Sequence, residues 1–180
     1  MQLTNTADAY GLVTRLLHWC VALLIIGLIV LGWWMVGLSY YDAWYNDSLE
    51  WHKGLGMVAL VLGAVKVGWY AGNRKVDLSG ELKDWERLAA RSVHLLFLAL
   101  MVVIPVTGYL ISTSAGDGIS MWGLFEVPAL VPENERLRDV AIEIHYYAAY
   151  GAAALVCVHA GAALKHQRVD RDGTLRRMLW

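Results

Sequence analysis

Cysteine is scarce in this chain, and what is missing around it excludes whole chemistries. The 180 residues hold only Cys20 and Cys157, with no CxxC and no CxxCH. Spacing therefore signals neither a dithiol redox pair nor a covalently attached haem. Both cysteines lie in apolar runs, where small buried packing residues are expected and a disulfide is not. Charge is scarce too, at 17% of residues with a formal net charge of −1. No basic cluster is interleaved with stacking aromatics, which argues against a nucleic-acid partner. Phenylalanine is nearly absent, two residues against nine Trp and nine Tyr. That bias suits a membrane interface, where one edge of the ring is wet and the rest is not.

What the chain has in abundance is apolar sequence. It is 58% hydrophobic with a mean hydropathy of +0.44, which is unusual for a soluble domain. A bilayer-spanning helix needs about 20 mostly apolar residues. Four segments qualify, at about 15–38, 52–71, 89–112 and 139–165. The expected fold is all-α, a single integral-membrane domain over 1–180 forming a four-helix bundle in contact with lipid. The first span ends in GWWMVGLSYY, with bulky aromatics where a signal-peptide cleavage site needs small residues, so it reads as retained.

Lys and Arg placement gives the orientation. Arg74, Lys75, Lys83, Arg87 and Arg91 lie between spans two and three, and Lys165, Arg168, Arg171, Arg176 and Arg177 follow span four. The other two connections are acidic, with Asp42, Asp47, Glu50, Asp117, Glu126, Glu133 and Glu135. Both termini are expected in the cytoplasm, in a multi-pass protein of a bacterial inner membrane. The periplasmic loop at about 113–138 contains MWGLFEVPAL, which suggests a short interfacial helix or cap. Its end, PENERLRDV, reads as a helix start with Pro132 near the first turn. Pro105 sits within span three and should kink it, with the freed backbone groups satisfied by packing or by Thr107. Lys66, within span two, either snorkels to the cytoplasmic interface or makes a functional contact.

Five of the six histidines lie at or within span ends. Ionisable residues in a bilayer are costly and usually functional. His145 and His159 are fourteen residues apart, about 21 Å along a helix. Fourteen steps of about 100° fall only about 40° short of four turns, so both rings leave nearly the same helix face. Helix direction then sorts the others by depth. His52 shares the outer level with His145. His18 and His94 share the inner level with His159.

Two imidazoles from facing helices suit a haem iron with both axial positions filled, which makes an electron carrier rather than an oxygen activator. Gly54, Gly56, Gly63, Gly151 and Gly161, with Ala152 and Ala153, would make room for a ring or allow close helix packing. Hydrogen-bonded structural imidazoles are the plain alternative. A zinc site is another, but it needs about four clustered ligands and His145 is too far from His159. At the inner level the spacing leaves His18 and His94 both open as partners of His159.

RLLHW, EWHKGLG, ARSVHLLFLALMVVIPVTGYLIS, IHYY…HAGAALKH and the tail DRDGTLRRM together resemble the prokaryotic cytochrome b561 family along almost the whole chain. The resemblance implies two non-covalent b-type haems with ligands on helices one, two and four. Carried onto this sequence, it pairs His52 with His145 and His18 with His159, and leaves His94 without iron. It implies electron transfer between the quinone pool and another redox partner, with a periplasmic redox or isoprenoid-binding protein as a plausible one. A superoxide:ubiquinone oxidoreductase is the alternative it carries, and a non-redox histidine-bearing scaffold or transporter stands outside it.

Around this core, Arg15, Arg91 and Lys165 are placed to neutralise inner-haem propionates or attract an anionic quinone species; positive-inside anchoring explains the same residues. Lys53, Arg136 and Arg138 hold that position for the outer haem. His94, one turn from Arg91, is a candidate quinone ligand, since imidazole exchanges protons near neutral pH. His166, seven residues past His159, is a candidate to pass that proton to water.

Overall fold

The four long helices are set at their ends by local hydrogen bonds. The structure, a computed structural model, describes residues 2–77 and 82–179. Helix α1, Leu12–Met35, starts where Asn5 Oδ1 accepts from the Gly11 N–H at 2.9 Å and from the Thr14 hydroxyl at 2.7 Å. After α1, Asp42 Oδ2 accepts from the Ser39 N–H at 2.6 Å and the Ser39 hydroxyl at 2.8 Å. These bonds favour the ionised carboxyl and hold its pKa below the usual value. Helix α2 runs Tyr45–Gly72 and helix α3 runs Asp84–Thr113. Glu86 reaches back to accept from the Lys83 N–H at 3.1 Å, the one half of a capping box that a Lys at the cap position allows.

A two-stranded antiparallel hairpin follows, β1 Ile119–Ser120 and β2 Glu126–Val127, with Ile119 opposite Val127. Helix α4, Glu135–Lys165, is capped by Asn134, whose side chain accepts from the Leu137 N–H at 2.9 Å. A π-helical turn, His166–Asp170, and a short α5, Arg176–Leu179, end the described chain.

All four long helices have the length and apolarity to cross a membrane. Helices α2, α3 and α4 begin with polar turns before their apolar segments, whereas α1 starts before its segment and ends at Met35, short of the expected 38. Pro132 lies two residues outside the Asn134 cap, not in the first turn of α4. Of the two forms expected, an interfacial helix or a cap, the loop takes the second, as the hairpin packed on α2. Trp122 and Gly123 have φ of 53° and 75°, and two consecutive left-handed residues cannot continue a right-handed helix. The Trp122 indole lies against α2 at Gly54, where a Cβ would come within 2.7 Å of the ring. Tyr109 on α3 pins the strand's exit, donating to the Pro128 carbonyl at 2.8 Å and accepting from the Leu130 N–H at 2.9 Å.

Neighbouring helices pack in chain order, α1 on α2, α2 on α3 and α3 on α4, with α1 and α4 meeting least. The buried apolar interior is small, built on Val21, Ala59, Met101, Ala141 and Ala152. Large apolar side chains such as Leu23, Val61 and Val158 face outward, as a lipid-facing surface requires. Cys20 and Cys157 are among the outward residues. Both are free thiols on the exposed surface, which corrects the expectation that they pack inside.

Pro105 lies inside α3 and deprives the Met101 carbonyl of its usual donor. Thr107 does not satisfy it, since its hydroxyl donates to Val103 and Ile104, both at 2.9 Å. The Met101 carbonyl instead faces Gly63 of α2, where a Cβ would sit 3.0 Å away. The chain ends stitch one end of the bundle together. Trp19 donates to the Met178 carbonyl at 2.9 Å, Asn5 to Arg74 at 2.9 Å and Arg177 to Asp77 at 3.0 Å. The bundle thus has a hairpin end and a termini end.

Candidate functional site

Histidines meet in pairs at both ends of the bundle. At the hairpin end, the rings of His52 on α2 and His145 on α4 have centres 6.1 Å apart. Each rests on a glycine of a neighbouring helix. A Cβ at Gly32 on α1 would lie 3.0 Å from His52 Cε1, and one at Gly108 on α3 would lie 3.1 Å from His145 Cε1. His145 Nδ1 lies 2.9 Å from the Ile104 carbonyl, with the Thr107 hydroxyl 3.3 Å away. A carbonyl only accepts, so Nδ1 carries the proton and Nε2 keeps its lone pair for a metal. That backbone bond is the support a metal-binding imidazole usually has.

At the termini end, His159 on α4 has two histidine neighbours. His18 on α1 is 6.3 Å from it and His94 on α3 is 5.7 Å from it, centre to centre. Phe97, one turn along from His94, meets the His159 ring edge-on at 5.3 Å. Lys66 on α2 is half-buried, and the Trp69–Thr14 hydrogen bond one turn away places it at the depth of His18 on α1.

The donor set fits a ligated haem. Two imidazole nitrogens each about 2 Å from one metal, with about 1 Å more to each ring centre, place the centres about 6 Å apart. The His52–His145 and His18–His159 separations match this. The His94–His159 separation is close to it as well, so ring distance alone does not choose the inner partner.

The cationic candidates divide. Arg15 is half-buried, one turn from His18, and its Nε has no hydrogen-bond partner among the described residues. Arg91 is exposed. Lys165, expected near a propionate or an anionic quinone, has its ammonium 2.7 Å from both Glu86 and Asp170. His166, expected as a proton outlet, lies in the same cluster, with Nδ1 2.8 Å from Asp170 and 3.1 Å from Asp172. Glu86, His166 and Asp170 bring ligand atoms within 4.8 Å of one another, but the Lys165 ammonium already supplies the cation there.

Gly54 and Gly63 turn out to be close-packing positions, whereas a Cβ at Gly56, Gly151 or Gly161 would meet nothing within 4 Å. The residues that sequence reasoning missed are Gly32, Gly108, Phe97 and Ile104. The glycines did carry a signal. Gly32 is fourteen residues from His18, and Gly108 is fourteen from His94, the same step that separates His145 from His159.

Four membrane helices bring histidines together across the interior at two levels, a donor set that a flat, iron-centred ring would fit. The family profile of prokaryotic cytochrome b561 matches residues 9–180. Cytochrome b561 homolog 2 of Escherichia coli (strain K12) is 38% identical over 179 residues, covering 99% of this chain and 95% of that protein. Cytochrome b561 homolog 1 of the same organism is 30% identical over 95 residues, covering 53% of each chain. The chain belongs to the prokaryotic cytochrome b561 family. It is a multi-pass bacterial inner-membrane electron-transfer protein, and the family binds b-type haem.

Proposed function

We propose that the protein carries two b-type haems and moves electrons between the quinone pool and a second redox partner. His52 and His145 hold the haem at the hairpin end, and His18 and His159 hold the one at the termini end. The observation that carries this reading is the approach of His52 and His145 to 6.1 Å between ring centres, the rings nearly perpendicular, with His145 Nδ1 committed to Ile104. When bound, such a haem would be held by these imidazoles and would supply reversible one-electron exchange.

The chain's own residues do the rest. The Ile104 carbonyl fixes the tautomer and rotation of His145, and Gly108 lets the ring lie against α3. Gly32 does the same for His52 against α1. Family resemblance favours His18 over His94 as the second ligand at the termini end, and the 6.3 Å separation is compatible with it. His94 is then available to hydrogen-bond a quinone carbonyl and exchange its proton, with Arg91 a turn away toward the water. Lys165 and His166 are engaged by carboxylates, which favours an anchoring role for Lys165 and leaves His166 as a proton outlet through Asp170 and Asp172.

The termini end faces the cytoplasm in this reading, supported by the Lys and Arg asymmetry of the connections. A soluble redox or isoprenoid-binding protein would then meet the hairpin end. The test is purified protein mixed with a soluble quinol. Reduction of two spectrally separable haem components supports the reading, and absence of haem absorbance ends it. Superoxide-driven reduction near the diffusion limit would instead favour a superoxide:ubiquinone oxidoreductase.

A further inference from the structure

A fourteen-residue step recurs on all four long helices. It links His18 to Gly32, His52 to Lys66, His94 to Gly108 and His145 to His159. Each step covers about 21 Å and returns to nearly the same helix face. The bundle is therefore built in two matched layers. The hairpin-end layer holds Gly32, His52, Gly108 and His145. The termini-end layer holds His18, Lys66, His94 and His159.

Two contacts fix the antiparallel register of α1 and α2, the second of them without a histidine. Gly32 meets His52 at one end, and the Trp69 indole donates to the Thr14 hydroxyl at 2.8 Å at the other. Counting one turn back from each partner in the second contact puts Lys66 opposite Leu17 and His18. Lys66 thus stands at ligand depth, on the helix face that carries a ligand one layer away. Among the described residues, no carboxylate lies within 4 Å of its ammonium, in contrast to Lys165. The hairpin-end layer contains no Lys or Arg at any of its four positions.

We propose that Lys66 is a potential-setting residue that raises the midpoint of the termini-end haem. This rests on the two-haem reading above. The physical reason is charge. An oxidised bis-imidazole haem centre carries one more positive charge than the reduced one. A fixed cation in a medium of low dielectric disfavours the oxidised form, and few counter-charges are near to screen it. Lys66 holds the electron on its layer without ligating the iron, and because the interaction falls with distance its effect is larger on the near haem than on the far one.

The test is a spectroscopic redox titration of the full-length protein and its Lys66→Met, Lys66→Gln and Lys66→Arg variants, with haem content measured first. In the Met and Gln variants both haems should remain, and the reduction equilibrium of the termini-end component should fall about tenfold, about 59 mV for one electron. The hairpin-end component should move far less, and Lys66→Arg should keep the native value. An unmoved termini-end midpoint overturns the proposal, as does an equal shift of both components. Loss of the termini-end haem from both the Met and Gln variants overturns it too, making Lys66 part of the haem's hold. A wild-type protein with a single haem component fails the two-haem reading itself, before any variant is compared, and takes the proposal with it.

Discussion

The ring of His145 lies against the backbone of Gly108, so close that a single added methyl group would stand 3.1 Å from its Cε1. Gly32 bears the same relation to His52 at 3.0 Å. Two glycines on α1 and α3 thus set where the imidazoles of α2 and α4 can be. A larger side chain there does not remove a ligand; it displaces one.

Gly108→Val should therefore lose or strongly perturb the hairpin-end haem while leaving the termini-end haem in place. The strain is on the order of 1–3 kcal/mol, the usual range for overpacking a close contact. A reduced-minus-oxidised spectrum with a redox titration checks this. Equal loss of both components would show a general packing defect instead.

Lys165→Ala should leave both haem spectra and both midpoints unchanged. Its ammonium is engaged by Glu86 and Asp170, so the substitution breaks a partly solvated ion cluster where the π-helical turn meets α3. A small loss of thermal stability, weaker at high salt, is the expected effect. A shifted termini-end midpoint would restore Lys165 as a propionate partner.

His94→Ala should keep both haems but slow electron exchange with a soluble quinol by about 10²-fold, the low end for a lost acid–base group. Stopped-flow reduction of the haems checks it. Unchanged kinetics with both haems present removes the quinone role, and loss of a haem makes His94 a ligand in place of His18.

The depth sorting of the histidines was legible in the sequence, because a helix advances by a fixed rise and turn per residue. Fourteen residues on α4 mean the same thing in any bundle. What touches what across helices was not legible. That Gly108 supports His145 depends on the antiparallel register of α3 and α4, which no local pattern encodes. Cys20 and Cys157 show a second limit. Apolar context reads as burial in water, but in a bilayer the apolar side chains face the solvent, which is lipid, and the small and polar ones face inward. The stretch MWGLF was legible only as an interfacial helix or a cap, for a related reason. Its apolar composition fits an interfacial helix, and only the left-handed Trp122, held by Gly54 of a distant helix, turns it into a hairpin.

Topology follows from the positions of Lys and Arg alone and has its own check. A reporter active only in the periplasm should be silent when fused behind the C-terminus and active when inserted near Asp117. The reverse pattern would exchange the sides assigned to the two haems without altering their ligands.

The most direct test of the account is haem stoichiometry and redox titration across four alanine variants, at His18, His52, His145 and His159. The wild-type chain should carry two haems. His52→Ala and His145→Ala should each lose the same component, and His18→Ala and His159→Ala should each lose the other. A single haem in the wild type, or a His18→Ala variant that keeps both components, would contradict it.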